Sequence, residues 1–318
     1  MTLFREIRDA AAAVDARARS VRIDSGALEA LASRLAAERP GPPSLDPAHH
    51  HLGDPDATLA YVVTLNAVNF GSGWFPFLRK KVKLSGYLTV ASALRERFER
   101  RGPLCAEELA GFSAADCAEL FGQQGVAGVA DLMELFARAF ADLGDLLLRR
   151  WDGRFAGPIE DAGGSAEKLV DLLTEMPLYR DVARYEELRV PFYKRAQITA
   201  SDLAQAFGGR GPGAFRDLDE LTLFADNLVP HVLRVSGALV YAPALAARID
   251  AGDPIASGSA EEVEIRACAL HAVERLSAAC GERRFAIVPH ALDHLLWARG
   301  QSPEIKAVPR HRTRCSFY

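Results

Sequence analysis

The stretch "IRACALHAVERL", residues 265–276, decides the fold class. Its apolar residues Ile265, Cys268, Ala269, Ala272, Val273 and Leu276 recur at intervals of three and four, the spacing of one face of an α-helix. The same spacing returns in Leu28, Leu31, Ala32 and Leu35, and again in Leu132, Leu135, Phe136, Ala139 and Leu143. Alternation with a period of two is scarce, and "YVVTLNAV" (61–68) fits either a helix or a strand. Glycine and proline gather between the helical blocks, in "RPGPPSLDP" (39–47), "WDGRFAGP" (151–158), "GGRGPG" (208–213) and "AGDPIASGS" (251–259). A mainly α chain with few or no strands is expected. Only the first of these stretches reads as a linker, and the segment before it resembles a helical hairpin. The expected organisation is a helical segment over 1–45 and a larger helical domain over 46–318, either separate or continuous as one globular unit.

The bulk properties narrow the function classes. A chain of 318 residues can bury a full core, and 49% hydrophobic with 25% charged residues is ordinary soluble composition. A net charge of −4 gives no basic face for nucleic acid. No uncharged run approaches the roughly 18 apolar residues of a membrane helix. The opening "MTLFREIRDAAAAVDAR" mixes acids and bases, reading as a soluble helix and not a signal peptide. The five cysteines are odd in number, scattered and without a C-x-x-C pair, which fits free thiols in a reducing compartment. A cytoplasmic protein is expected.

Four stretches carry side chains suited to chemistry. In "TLFADNLVPHVL" (222–233) a single carboxylate, Asp226, sits in an apolar run four residues before Pro230. Pro230 has no amide to return to the carbonyl of Asp226 and biases Val229 away from helix, so a helix starting near Pro230 leaves Asp226 just outside its N-terminus. There a carboxylate is either a structural cap or an ionised group held in a dry pocket, and both readings stand. In "VPFYKRAQIT" (190–199), Ala196, Ala200, Leu203 and Phe207 form an apolar stripe, with Lys194 about 200° away from Ala196 at roughly 100° per residue. Lys194 is then either a solvated surface cation or a cation facing a cleft that holds a phosphate. In "NAVNFGSGWFPF" (66–77), Asn69, Phe70 and Trp74 suit either core packing or a stacked planar ligand whose polar edge an amide reads. The tail "VPRHRTRCSFY" (308–318) is either disordered or docked with its arginines turned to an anion.

The metal signals are weak. His290 and His294 stand at i, i+4 without the neighbouring glutamate of zinc-binding helices, and "HHH" (49–51) falls in a loop. No Walker loop, G-x-S-x-G or G-x-G-x-x-G is present, and "GGRGPG" follows a helical pattern with no strand before it. No cofactor and no metal are expected.

Taken in order, "GYLTVASALRERFERRGPLCAEELAGFS", "YRDVARYEELRVPFYKRAQI", "LTLFADNLVPHVL", "EVEIRACALHAVE" and "VPRHRTRCSFY" resemble the queuosine salvage proteins, queuosine 5′-phosphate N-glycosylases, over about residues 56–318. The resemblance implies a fold similar to helix-hairpin-helix DNA glycosylases. It also implies cleavage of the bond joining queuine to ribose 5-phosphate, so that the 7-deazaguanine base is reused in transfer-RNA modification. In that architecture an aspartate at a helix N-terminus lies beside the anomeric carbon with a lysine nearby, and Asp226 and Lys194 fall on the matching motifs. Asp226 is thereby expected to be catalytic, with Lys194 in the chemistry or on the phosphate. The expected substrate-binding residues are Asn69, Phe70 and Trp74 toward the base, Lys194, His231 and Arg312 toward the 5′-phosphate, and Tyr193. The expected partner is this small nucleotide, with no nucleic acid and no membrane. The alternatives are a DNA-base glycosylase of the repair type, which the acidic net charge disfavours, and a non-catalytic nucleotide-binding protein in which Asp226 is only a cap.

Overall fold

The computed structural model describes residues 2–41 and 44–318; Met1, and Pro42 and Pro43 of the expected linker, lie outside the described residues. Among the described residues helices dominate, and strands form two antiparallel pairs. The strands are β1 (Val21–Ile23), β2 (Val182–Tyr185), β3 (Leu188–Pro191) and β4 (Leu239–Tyr241). β1 pairs with β4, Val21 facing Tyr241, and β2 pairs with β3, Ala183 facing Val190. By their internal contacts the residues fall into two compact units.

The first unit comprises Met1–Pro43, Asp181–Lys194 and Asp219–Arg314. Its axis is the helix Ala260–Glu282, capped by the Ser259 side chain. The helices Leu3–Asp15, Ser25–Glu38, Val229–Val235 and Pro289–Arg299 pack on it. Ile265, Cys268, Ala269, Ala272, Val273 and Leu276 are all buried, as their spacing requires. Each large apolar side chain so buried contributes on the order of 1.5–3 kcal/mol of transfer free energy. Burial extends to the other face, where Glu262, Glu264 and Arg266 are also enclosed. Enclosed charges must be satisfied. Glu264 accepts the N–H groups of Arg19, Ser20 and Val21 at 3.1, 2.6 and 3.1 Å, and the Tyr185 hydroxyl at 2.8 Å. That carboxylate anchors the start of β1. The N-terminal segment is therefore not a simple helical hairpin: its two helices are separated by β1, and each leans on Ala260–Glu282.

The second unit comprises Ser44–Arg180, Arg195–Leu218 and Cys315–Tyr318, built on the helix Ala130–Trp151. Its stripe residues Leu132, Phe136, Ala139 and Leu143 are buried against the helices Pro55–Ala67, Ala106–Ala110 and Ala114–Leu120. At Gly144 an added Cβ would lie 2.4 Å from the Ala106 carbonyl oxygen, so only glycine lets the helices approach this closely. Capping boxes at Cys105/Glu108 and Ser113/Asp116 start the two short helices. The ambiguous "YVVTLNAV" is helical, because Asp54 caps the first turn and Pro55 sits inside it. Thr58–Ala67 is buried on all sides, which erases the periodicity that would have identified a helix.

Among the described residues none of the five cysteines forms a disulfide, and four of them are buried. No helix among the described residues is long and apolar enough to cross a membrane.

Candidate active site

Asp226 lies in a loop that is almost wholly buried: Leu221, Thr222, Leu223 and Ala225 are inaccessible, while Asp226 itself is half-buried. A buried loop must still satisfy its backbone polar groups. The Phe224 N–H donates to Asp293 Oδ1 at 3.2 Å, and the Ala225 carbonyl accepts from Arg266 Nε at 3.0 Å. Asp226 Oδ1 accepts the N–H groups of Leu228 at 2.8 Å and Val229 at 3.1 Å. Those are the amides of the residue just before the helix Val229–Val235 and of its first residue; its first turn contains Pro230. One carboxylate oxygen thus supplies a partner to amides that have none within the helix. Among the described residues the other oxygen forms no hydrogen bond.

Lys194 opens the helix Lys194–Ala206 and is 5% exposed. The reading of a solvated surface cation is thereby ruled out. The polar face is enclosed as fully as the apolar stripe, since Gln197, Thr199, Ser201 and Asp202 are buried along with Ala196 and Ala200. The Lys194 N–H donates to Asp181 Oδ2 at 3.2 Å. Tyr193, just before it, holds a left-handed φ of +47°, and its hydroxyl accepts from Arg189 Nη2 at 2.6 Å. A non-glycine residue in that region is strained by roughly 1–3 kcal/mol and is held there by its surroundings.

His290 and His294 flank Phe224, ring centroids 6.5 and 5.5 Å away. Burial pushes His290 down to about 4; burial, then His290 and Lys194, push His294 down to about 3. Both imidazoles are neutral at pH 7. Among the described residues no group of three histidine, cysteine, aspartate or glutamate side chains is placed to hold a metal ion.

His231 is buried with Nε2 3.0 Å from the Ile305 carbonyl, and burial lowers its pKa. Its one N–H serves that carbonyl, leaving Nδ1 as an acceptor that cannot donate to a phosphate. The tail residues of this unit are docked. The Arg312 carbonyl accepts from the Ile255 N–H at 2.8 Å, and the Pro309 carbonyl from Arg234 Nη1 at 3.2 Å. The Arg312 guanidinium lies beside Gly252. Burial disfavours the charge on Arg310, and Asp226 nearby supports it. His311 is enclosed, both ring nitrogens lack a hydrogen bond among the described residues, and burial pushes it down to about 3.

In the second unit the "NFGSGW" turn is pinned by the chain's last residue. The Tyr318 carbonyl accepts from Gly71 and Ser72 N–H at 3.0 and 3.4 Å. Gly71 has φ +101°, and a Cβ there would lie 2.6 Å from Leu132 Cδ1, so the turn requires glycine. Asn69 Nδ2 donates to Asn66 Oδ1 at 2.9 Å, and Asn66 Nδ2 to buried Asp202 at 2.9 Å. This chain fixes the Asn69 amide. Trp74 is buried. Phe70 is 2% exposed, packed edge-to-face on Phe136 at 5.1 Å with the Arg195 guanidinium 4.6 Å over its ring. That geometry favours core packing for Phe70 over stacking on a base. Asp226, Tyr193, Lys194, His231 and Arg312 all belong to the first unit, while Asp181, Arg266 and Asp293, which bond the backbone around Asp226 and Lys194, went unnoticed in the sequence.

The family model described as "Queuosine salvage protein" matches residues 49–318. The chain is 40% identical to the queuosine 5′-phosphate N-glycosylase/hydrolase of Sphaerobacter thermophilus over 95% of its length and 94% of the relative's. It is 33% identical to the protein of that name from Mus musculus over 84% and 83%, and 30% identical to that from Bos taurus over 98% of each.

Proposed function

We propose, on the premise that this chain belongs to the queuosine salvage protein family, that it hydrolyses the N-glycosidic bond of queuosine 5′-phosphate to queuine and ribose 5-phosphate. The observation that supports this reading is the Asp226 carboxylate, one oxygen on the Leu228 and Val229 amides and the other, among the described residues, without a hydrogen bond. Breaking the C1′–N9 bond leaves the electron pair on the base and an oxocarbenium-like ribose. An ionised carboxylate in a low-dielectric site stabilises that cation strongly. The free oxygen of Asp226 orients the water that attacks C1′ and takes its proton, while the base gains a proton on nitrogen. Queuine has carbon where guanine has N7, so protonation there is not open to the leaving group, and the carboxylate carries more of the load. Lys194 and Arg312 hold the 5′-phosphate, while His231 keeps its bond to the Ile305 carbonyl.

The free base serves transfer-RNA modification, and cysteines that form no disulfide among the described residues fit work in the reducing cytoplasm. Purified protein incubated with queuosine 5′-phosphate is expected to release queuine and ribose 5-phosphate in equal amounts by mass spectrometry. Ribose 5-phosphate without queuine, or neither product, overturns the proposal.

A further inference from the structure

Resting on that reading, we infer that the buried Asp181–Arg266 pair is a positioning device, holding the loop of Asp226 at a fixed distance from the start of the Lys194 helix. Arg266 projects from the central helix Ala260–Glu282, and both side chains are almost inaccessible, 2% and 3% exposed. Its Nη1 and Nη2 donate to the two Asp181 oxygens at 2.9 and 2.6 Å, the paired fork that only a guanidinium offers a carboxylate. The third guanidinium nitrogen, Nε, donates to the Ala225 carbonyl at 3.0 Å, one residue before Asp226. On its far side Asp181 Oδ2 accepts the Lys194 N–H at 3.2 Å, and the Asp181 carbonyl accepts from Phe192 and Tyr193 at 2.9 and 3.2 Å. The Phe192 ring lies 3.9 Å from the guanidinium carbon, and Glu262 Oε1 lies 3.6 Å from Nη1. One side chain therefore grips the backbone beside the carboxylate, and its partner grips the backbone at the cation.

Stability alone does not account for such a pair. Desolvating two charges offsets most of their attraction, and two apolar residues of similar volume hold a core equally well. What an apolar pair cannot do is satisfy the Ala225 carbonyl and the Lys194 amide, and so hold the loop and the helix start of the site in place. Displacing a reacting group by about 1 Å costs on the order of 10²-fold in rate. The arginine and aspartate act through Asp226 and Lys194 and are positioning residues.

The test is a double-mutant cycle on the rate of queuine release. Arg266→Lys keeps a cation beside Asp181 but cannot span both oxygens and the Ala225 carbonyl. In the wild-type background it is expected to lower kcat by about 10- to 100-fold. In an Asp226→Asn background the same change is expected to cost less than about threefold, because a residue acting through another has little left to position. Equal losses in both backgrounds overturn the inference. If Arg266→Lys fails to fold, the apolar pair Asp181→Leu/Arg266→Met replaces it: a folded variant with kcat lowered to the same degree supports positioning, and one with wild-type kcat overturns it. A wild type that releases no queuine overturns the proposed function and the positioning role with it; an active wild type with additive losses overturns the positioning role alone.

Discussion

Replacing Asp226 by asparagine removes one charge and almost nothing else. The asparagine carbonyl oxygen can still accept the Leu228 and Val229 N–H groups, at 2.8 and 3.1 Å in the wild type, so the start of the helix Val229–Val235 keeps its partners. Loss of a capping side chain altogether costs about 0.5–2 kcal/mol, and the isosteric change should cost a fraction of that. The melting temperature is expected to move by no more than a few degrees. The oxocarbenium, by contrast, loses the negative charge opposite it. Removing one preorganised electrostatic group costs about 10²–10³-fold in kcat, or roughly 2.7–4 kcal/mol. The assay is initial-rate release of queuine from saturating queuosine 5′-phosphate, with substrate affinity measured separately by calorimetry. Turnover should fall by at least about 10²-fold with affinity largely retained. A purely structural Asp226 would show the opposite pattern, near-normal turnover in the asparagine variant, and that result removes the residue from the mechanism.

Other outcomes follow from the same geometry. Lys194→Met should erase much of the preference for nucleotide over nucleoside while affecting the nucleoside less; an equal loss on both substrates would instead place Lys194 in the chemistry. Phe70→Ala should lower stability by about 3–5 kcal/mol, the cost of a buried phenylalanine, and leave substrate affinity in the folded fraction unchanged. A selective loss of affinity at unchanged melting temperature would restore Phe70 to the base site. Acid should destabilise the chain early. His290, His294 and His311 are neutral and buried, held at about 4, 3 and 3 against an ordinary 6.5. With folded values below unfolded ones, stability is fully present above pH 6.5 and declines as pH falls toward 4, since the unfolded chain binds the protons first. Thermal unfolding at pH 7 and pH 5 should show a lower midpoint at pH 5, and His294→Leu should shrink the difference; identical midpoints would contradict neutral burial.

The sequence disclosed the helices whose buried stripe contrasts with an exposed face, as in Leu132–Leu143 with its glutamate and arginine neighbours. It disclosed less where contrast vanishes. Residues 58–67 are enclosed on every side, so "YVVTLNAV" has no period to read. The same enclosure explains Lys194: the polar face of its helix is buried, and a stripe argument assigns such a face to water. The place of Asp226 just before a helix was legible because its signal is local, a carboxylate four residues before a proline that cannot close the helix ladder. Asp181 and Arg266 are 85 positions apart, and the pairing of Arg266 with the Ala225 carbonyl spans 41. No spacing rule reaches that far. Phe70 shows the converse, since an aromatic between amides suits a ligand in sequence, while its contacts with Phe136 and Arg195 place it in the core.

The most direct test is the rate of queuine release by the wild-type protein from queuosine 5′-phosphate and, side by side, from the nucleoside queuosine. Two charge-assisted contacts to the phosphate, about 1.5–3 kcal/mol each, predict turnover of the nucleotide with an advantage in kcat/KM of roughly 10²-fold or more. Equal rates on the two substrates would contradict the phosphate assignment, and no release from either would contradict the function.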